Sequence, residues 1–422
     1  MKRNYYDVAI IGGGASGLAA AIELKSLSPE LSVVIIEKND SLGRKIRATG
    51  NGRCNITNKN ANGYIEIMKW FMRIGLMTRS CESDLVYPYS ESAADVVGLL
   101  TEGDGPGGYF FTKGDGPKSG CSKNSSVDTW CNSSVTGITF DDTFEITVIR
   151  ESNPGDKKTV SKKLQEAVRA DKVILATGGK AGPEFGTTGD GYKLAASFGH
   201  SIVTPIPVLT GIECENWDKT LAGVRAKGVV SLYRDETGQF DESSKIFEES
   251  GEIQFTKTGL SGIAIFNMTR FMRYNRAEGE TLGQFQVKLN LFPEGDIQEF
   301  LKMTGRGSDS EYSAESRTNN PLATVLKKEL AEYVLKQGIE SIHALTFTPS
   351  AVKGWKDAQV TSVGVDLGEI DPDTCESRLQ PGLYITGELL DYDGPCGGYN
   401  LSNAWLTGLK VARSIANPDL LI

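Results

Sequence analysis

The sequence predicts an α/β fold: a parallel sheet that binds a ligand at its carboxyl edge, interrupted by a smaller β-rich insertion. Three stretches carry that prediction. Residues 7–37 read as strand, glycine turn, helix and strand. Residues 200–290 break into short strands separated by turn signals. Residues 382–415 return to the first style, a strand that runs through glycines into a helix.

The first unit opens with an apolar strand, Val8 to Ile11, followed by Gly12-Gly13-Gly14-Ala15-Ser16-Gly17, an Ala/Leu-rich helix, and a second apolar strand from Val33 to Ile36 that ends in Glu37. This is a βαβ dinucleotide fingerprint in its full context, and each part has a reason. Gly12 permits the tight turn, Gly14 lets the backbone approach a pyrophosphate, and Gly17 lets helix and sheet pack closely. The helix N-terminus offers free N–H groups and partial positive charge to phosphates. Glu37 lies about twenty residues further on, where a carboxylate binds ribose hydroxyls.

The second unit is the polar run Leu42 to Asn58. Its glycines let backbone approach a ligand. Arg44, Lys45, Arg47 and Arg53 are expected to supply positive charge near a pyrophosphate, and Asn51, Asn55 and Thr57 neutral hydrogen bonds. Residues 64–100 look mixed, with a helix expected from Ser92 to Leu100. Residues 103–126 lack apolar periodicity and read as an exposed loop. Paired strands are expected at 135–140 and 144–149. A buried strand at 171–176 leads into Thr177-Gly178-Gly179. Residues 304–320 are polar and unpatterned, and 321–338 are helical by pattern, with Leu322, Val325, Leu326, Leu330 and Val334 on one face.

Near the end, Gly382 to Thr386 forms a strand that delivers Glu388 to the carboxyl edge, where α/β folds bind ligands. Gly397-Gly398 then opens a helix. A helix N-terminus aimed at a redox ring stabilises negative charge developing on it.

Composition sets limits. The chain has 422 residues, 39% of them hydrophobic, and a formal net charge of −9. That length suggests two or three domains. The acidic balance argues against nucleic acid as the main partner. No apolar run has the length of a membrane span. Seven cysteines without a CxxC pair fit reduced thiols, and only two histidines, His200 and His343, argue against a His-rich metal site and a Ser-His-Asp triad. Lys2 and Arg3 before an apolar stretch imitate a signal peptide, but Asp7, Glu23 and the glycine turn favour the nucleotide reading, so a cytoplasmic location is expected.

Taken in order, GGGASG, GRKIRATGNGRCNITN, ATGG with TTGDGY, GEIQFTKTGLSG and GELLDYDGPCGGYNLSNAW resemble the YhiN/BaiN family of FAD-dependent flavoproteins over nearly the whole chain. The resemblance implies a Rossmann-like FAD-binding domain of the glutathione-reductase type, assembled from both chain ends, with an inserted β-rich domain and a small helical subdomain. The boundaries are expected at 1–198 and 347–422 for the FAD domain and 199–346 for the insertion, with its helical piece near 297–338. Two stretches, 101–134 and 304–320, depart from the family pattern.

The cofactor-binding residues expected from motifs and resemblance together are Gly12, Gly14, Ala15, Ser16, Gly17, Glu37, Lys38, Arg44, Lys45, Gly50, Asn51, Gly52, Arg53, Cys54, Asn55, Val135, Thr177, Gly178, Gly179, Gly387, Glu388, Gly397, Gly398, Asn400 and Leu401. The resemblance places Val135 as a backbone contact to adenine, Glu388 near the ribityl chain, and Asn400 and Leu401 near the flavin ring. No metal is expected. Tyr399 and Cys54 are the candidate proton donors, set against packing roles for both. Lys257 and Thr258 are expected on the substrate side, or else in a turn before a helix.

The function expected is reduction of a conjugated hydrophobic small molecule, such as an unsaturated 3-oxo bile acid or steroid, with NAD(P)H as a transient electron donor. An amine oxidase of the aminoacetone type, and a flavin-bound redox sensor or RNA-linked accessory protein without turnover, are the alternatives; the negative net charge weighs against the RNA-linked version.

Overall fold

The computed structural model describes residues 4–81, 84–102, 110–113, 126–151, 163–273, 281–303 and 320–417. The chain divides into two compact units, Met1–Pro205 with Val360–Ile422, and Ile206–Gln359.

In chain order the first unit supplies β1 (Tyr5–Ile11), α1 (Ala15–Leu27), β2 (Val33–Ile36), α2 (Arg44–Ala48), β3 (Thr57–Asn58), α3 (Tyr64–Arg73), β4 (Thr78–Ser80), β5 (Leu85–Pro88), α4 (Ala93–Glu102), β6 (Phe110–Lys113), β7 (Ser126–Trp130), β8 (Ser133–Asp141), β9 (Thr143–Glu151), β10 (Lys163–Leu175) and α5 (Asp190–Ala196). The second unit follows with β11 (Ile206–Val208), β12 (Ile212–Cys214), β13 (Arg225–Arg234), β14 (Lys245–Phe255), β15 (Gly259–Ser261), α6 (Ile263–Thr269), β16 (Phe285–Asn290), α7 (Ile297–Met303), α8 (Lys328–Gln337), β17 (Leu345–Phe347) and β18 (Pro349–Val352). The chain then returns to the first unit with β19 (Val360–Ser362), β20 (Leu383–Ile385) and α9 (Tyr399–Ala416).

The main sheet of the first unit runs β6-β7-β2-β1-β10-β9-β8, with β20 also on β10. β1 lies parallel between β2 (Val8 opposite Val33) and β10 (Val8 opposite Lys172). Its residues Val8–Ile11 are buried in succession, the pattern of a parallel strand covered on both faces.

β10 is longer than the strand expected at 171–176. Residues 163–170 pair antiparallel with β9 and alternate in exposure from 166 on, while Val173–Leu175 are fully buried and pair parallel with β20. One strand thus changes periodicity where it enters the covered part of the sheet.

The expected loop at 103–126 is corrected in part. Phe110–Lys113 is a strand parallel to β7, set in register by Phe111 opposite Val127. Parallel pairing to an existing strand supplies the order that the local sequence does not signal. The remainder of that loop, and nearly all of 304–320, lies outside the described residues.

Helices α1 and α9 pack so closely that a Cβ at Gly408 would stand 2.3 Å from the Ser16 carbonyl oxygen. Glu23, on the same face of α1, has a side chain only 1% exposed. It is met by Arg73 from α3 and by Arg413 from α9 at 3.2 Å, so the buried carboxylate is paired from two sides.

The second unit is an antiparallel seven-stranded sheet in the order β17-β16-β13-β14-β15-β12-β18. Its core joins Leu232, Phe255, Phe285 and Leu289 of the sheet to Ile297 and Leu301 of α7 and Leu330 and Val334 of α8. The helical piece therefore shares the core of this unit. The helix expected over 321–338 is confined to Lys328–Gln337. Ahead of it the Asn320 side chain accepts from the Leu322 N–H at 2.9 Å and starts a turn, which buries Leu322 without a helix.

Replacing Gly408 by Leu is expected to lower stability by about 1–3 kcal/mol through overpacking between α1 and α9. Urea unfolding followed by circular dichroism checks this, and an unchanged midpoint would contradict the close approach.

Candidate functional site

The β1–α1 turn is shaped by glycines for three different reasons. Gly12 has φ +106°, and a Cβ there would lie 2.5 Å from the Ala176 carbonyl oxygen. A Cβ at Gly17 would lie 2.1 Å from the Gly12 oxygen. At Gly14, by contrast, an added Cβ would meet no protein atom within 4 Å, and its φ is an ordinary −84°. Nothing among the described residues demands glycine at that position. The space a side chain would fill lies before the N-terminus of α1, the kind of position whose free N–H groups favour anions.

Glu37 follows β2 and is buried. One carboxylate oxygen accepts from the Gly13 N–H at 2.8 Å, the other from the Asn39 backbone at 2.8 Å and its side-chain amide at 2.7 Å. The carboxylate is therefore oriented before any ligand arrives. Its backbone pairs with Trp130 and Ser133, which brings Val135, two residues further along β8, into the same region of the chain.

The second region is formed by residues 50–58 and the start of α9. Gly50, Asn51, Gly52 and Cys54 all take left-handed backbone, with φ between 55° and 83°. Two non-glycine residues in that conformation mark a tightly determined loop. The loop is tied to α9 by an Asn58 side chain donating to the Gly397 oxygen at 3.2 Å, a Thr57–Ser402 hydroxyl pair at 2.6 Å, and Trp405 Nε1 donating to the Ile56 oxygen at 3.1 Å. Gly398 has φ +94°, and a Cβ there would strike the Thr57 carbonyl at 2.6 Å and approach Asn55 Oδ1 at 3.1 Å. Asn55 is 8% exposed, and its Oδ1 has no hydrogen-bond partner among the described residues. A buried acceptor left open in a polar, glycine-walled corner is what a ligand N–H satisfies.

Asn400 bonds both the N–H and the carbonyl of Gly394, at 2.7 and 2.8 Å. Its side chain thus closes its own loop, and what α9 offers outward is the backbone of its first turn, followed by Leu401. Tyr399 is half-buried on that turn. Cys54 is fully enclosed, and burial pushes its thiol up to about 11. These are the surroundings of a packing side chain.

A third group stands around Glu388. Its Oε2 is 2.7 Å from the Lys45 ammonium, and its Oε1 accepts from the Thr361 N–H at 2.8 Å. The Thr361 hydroxyl in turn accepts from the Lys180 and Ala181 N–H groups at 2.7 and 3.0 Å. Gly179 passes so near that a Cβ would lie 2.3 Å from that hydroxyl. Thr177 and Gly178 precede it, and Gly178 turns with φ +71°. Gly387 sits beside Ser16, and the Thr386 hydroxyl lies 3.1 Å from the Ser16 hydroxyl. Thr361, Ala181 and Thr386 were not among the expected site residues. Thr361 lies in a short segment with no motif, and Ala181 and Thr386 stand just outside the ATGG and GELLDYDG runs; only their contacts reveal them.

Several basic side chains of these motifs have protein partners. Lys38 pairs with Asp190 at 2.5 Å. Arg44 bonds Asn39 at 3.2 Å, Arg53 lies over the Tyr87 ring at 4.9 Å, and Lys45 holds Glu388. In the second unit, Thr258 lies in the Thr256–Gly259 turn, 3.4 Å from Glu213.

Two measurements check this geometry. Gly398→Ala is expected to lower bound flavin in the purified protein, because its Cβ collides with Thr57 backbone; an undiminished flavin-to-protein absorbance ratio contradicts it. Native Cys54 is expected to resist iodoacetamide at pH 8, below its raised pKa, and to react in urea. Peptide mass spectrometry reads both states.

The motif resemblance is confirmed by comparison with known proteins. Residues 6–66 and 122–414 match the family described as HI0933-like protein Rossmann domain. The chain is 31% identical to the 3-dehydro-bile acid delta(4,6)-reductase of Clostridium scindens, over 97% of this chain and 98% of that protein. It is 26% identical to the ribosomal RNA dihydrouridine synthase of Haemophilus influenzae, over 98% and 99%, and 27% identical to that of Escherichia coli, over 97% and 98%. With its glycine turn, its oriented Glu37 and the glycine-walled corner at Asn55, the chain belongs to the HI0933-like Rossmann family and is an FAD-dependent oxidoreductase.

Proposed function

We propose that this protein reduces a carbon–carbon double bond conjugated to a carbonyl group in a hydrophobic small molecule, with an unsaturated 3-oxo bile acid or steroid as the substrate class. The observation that carries the reading is the match to a delta(4,6)-reductase along nearly the full length of both chains. NAD(P)H is the proposed electron donor.

In this reading Gly14 and the first turn of α1 hold the diphosphate of FAD, Glu37 accepts from the ribose hydroxyls, and Val135 meets adenine through its backbone. Glu388 accepts from the ribityl hydroxyls. Asn55 Oδ1 and the first turn of α9 receive the polar edge of the ring. When bound, FAD supplies two-electron transfer, so no residue of the chain has to carry electrons. What the chain supplies is orientation, an electrostatic setting at the α9 N-terminus, and a proton. We assign the proton to the Tyr399 hydroxyl and a packing role to Cys54.

A second reading has its own observation. Two relatives are named ribosomal RNA dihydrouridine synthases, and their matches also span nearly the whole chain. By name, they too add hydrogen across a double bond. A net charge of −9 weighs against a polyanionic substrate.

The test uses purified protein with its flavin, mixed without oxygen with NADH or NADPH. Bleaching of the flavin, followed by reoxidation with a 3-oxo-4,6-diene bile acid, is the expected result. Loss of a dihydrouridine in ribosomal RNA on gene deletion would favour the second reading. Bleaching by aminoacetone would favour an amine oxidase. No response across these probes would overturn the reductase.

Glu37→Ala is expected to weaken FAD retention on dialysis by about tenfold or more, the loss of charge-assisted hydrogen bonds. Gly14→Val is expected to be worse, because its side chain takes space assigned to the diphosphate. Flavin absorbance after dialysis reads both, and unchanged retention in either variant counts against that assignment.

A further inference from the structure

We propose that Lys45 is a positioning residue that acts through Glu388 rather than a phosphate-neutralising one. The inference rests on the placement of Glu388 at the ribityl chain of FAD.

A lysine eight residues after the acid of a glycine-rich nucleotide unit invites a role in charge neutralisation. Its contacts point elsewhere. Two of the three Lys45 N–H donors are directed at the chain itself, one to Glu388 Oε2 at 2.7 Å and one to the Ala181 carbonyl at 3.1 Å. The opposite carboxylate oxygen is held by the Thr361 N–H at 2.8 Å. Both oxygens are therefore anchored from different segments, and the plane of the carboxylate is set by α2 on one side and β19 on the other. The Lys45 side chain is 28% exposed and that of Glu388 18%, so the pair is partly shielded and weakly screened by salt.

The anchoring network extends further. The Thr361 hydroxyl accepts the Lys180 and Ala181 N–H groups, and Lys45 binds the Ala181 carbonyl, so one short loop is gripped from both sides. Gly179 leaves the room for this approach. A carboxylate accepts hydrogen bonds at about four lone-pair sites. With one on each oxygen already used by the chain, the remaining sites are those a ribityl hydroxyl would use. An unanchored Glu388 would have to lose rotamer freedom when FAD binds, at a cost in affinity.

The experiment compares FAD and ADP binding to the full-length chain after the flavin is removed by dialysis, using calorimetry on wild type, K45M, K45R, E388Q and K45M/E388Q. ADP carries the diphosphate and adenosine but no ribityl chain. Positioning through Glu388 predicts that K45M weakens FAD binding on the order of tenfold, one charge-assisted hydrogen bond, and leaves ADP binding unchanged. It predicts that K45M/E388Q binds FAD no worse than E388Q alone, and that K45R recovers most of the loss. Equal weakening of ADP and FAD by K45M would place Lys45 at the phosphates and overturn the proposal, as would additive losses in the double variant. If E388Q binds FAD as wild type does, the assignment of Glu388 to the ribityl chain fails instead. If wild type binds no FAD, the cofactor reading itself fails. Melting temperature and circular dichroism of each variant separate these outcomes from misfolding.

Discussion

The organisation of the first unit depends on one strand. β10 pairs in parallel with β1 through one part of its length and with β20 through Val173–Leu175. Because all three strands point the same way, their carboxyl ends deliver the glycine turn after β1, Thr177–Gly179 after β10 and Gly387–Glu388 after β20 to one edge. The Thr386 hydroxyl seals that arrangement, 3.1 Å from Ser16 and 3.2 Å from the Leu175 carbonyl. Segments more than 350 residues apart in sequence are thus made neighbours by backbone pairing and one buried hydroxyl. Helix α9 repeats the join on the face of the sheet, where Gly408 lets it reach α1.

From that scaffold the ligand-facing groups follow. Each of the three groups of side chains is oriented by backbone N–H groups or by glycines, with few long side chains left to choose their own position. Glu37 is set by Gly13, Glu388 by Thr361, and Asn55 by a loop in left-handed conformation. Preorientation of this kind lowers the entropy lost on binding. The charge pattern serves the same end. Lys38, Arg44 and Lys45 each meet a partner within the chain, so their charges fix loops and a carboxylate.

Much of this was legible in the sequence because it depends on local rules. Continuous apolar runs predicted β1 and β2, the glycine spacing predicted the turn between them, and the run after Gly397 predicted α9 nearly to its ends. The runs around 50–58 and 397–401 were singled out by their glycines, but that Asn55 and Gly398 lie side by side is visible only in the structure. The failures are equally physical. The apolar positions of 321–338 fit a helix, yet Asn320 turns the first of them into the core without one. The strand Phe110–Lys113 has little local signal and owes its order to β7.

By itself, the sequence determined the class of ligand and the family. Those depend on glycine, acid and asparagine at set spacings along contiguous segments. Tertiary structure alone decided which charged and polar groups meet one another. Lys45 and Glu388 are 343 positions apart, and Thr361 belongs to no motif. Their meeting depends on how β10 gathers its partners, because electrostatic and hydrogen-bond partnership is set by distances in space that spacing along the chain does not encode.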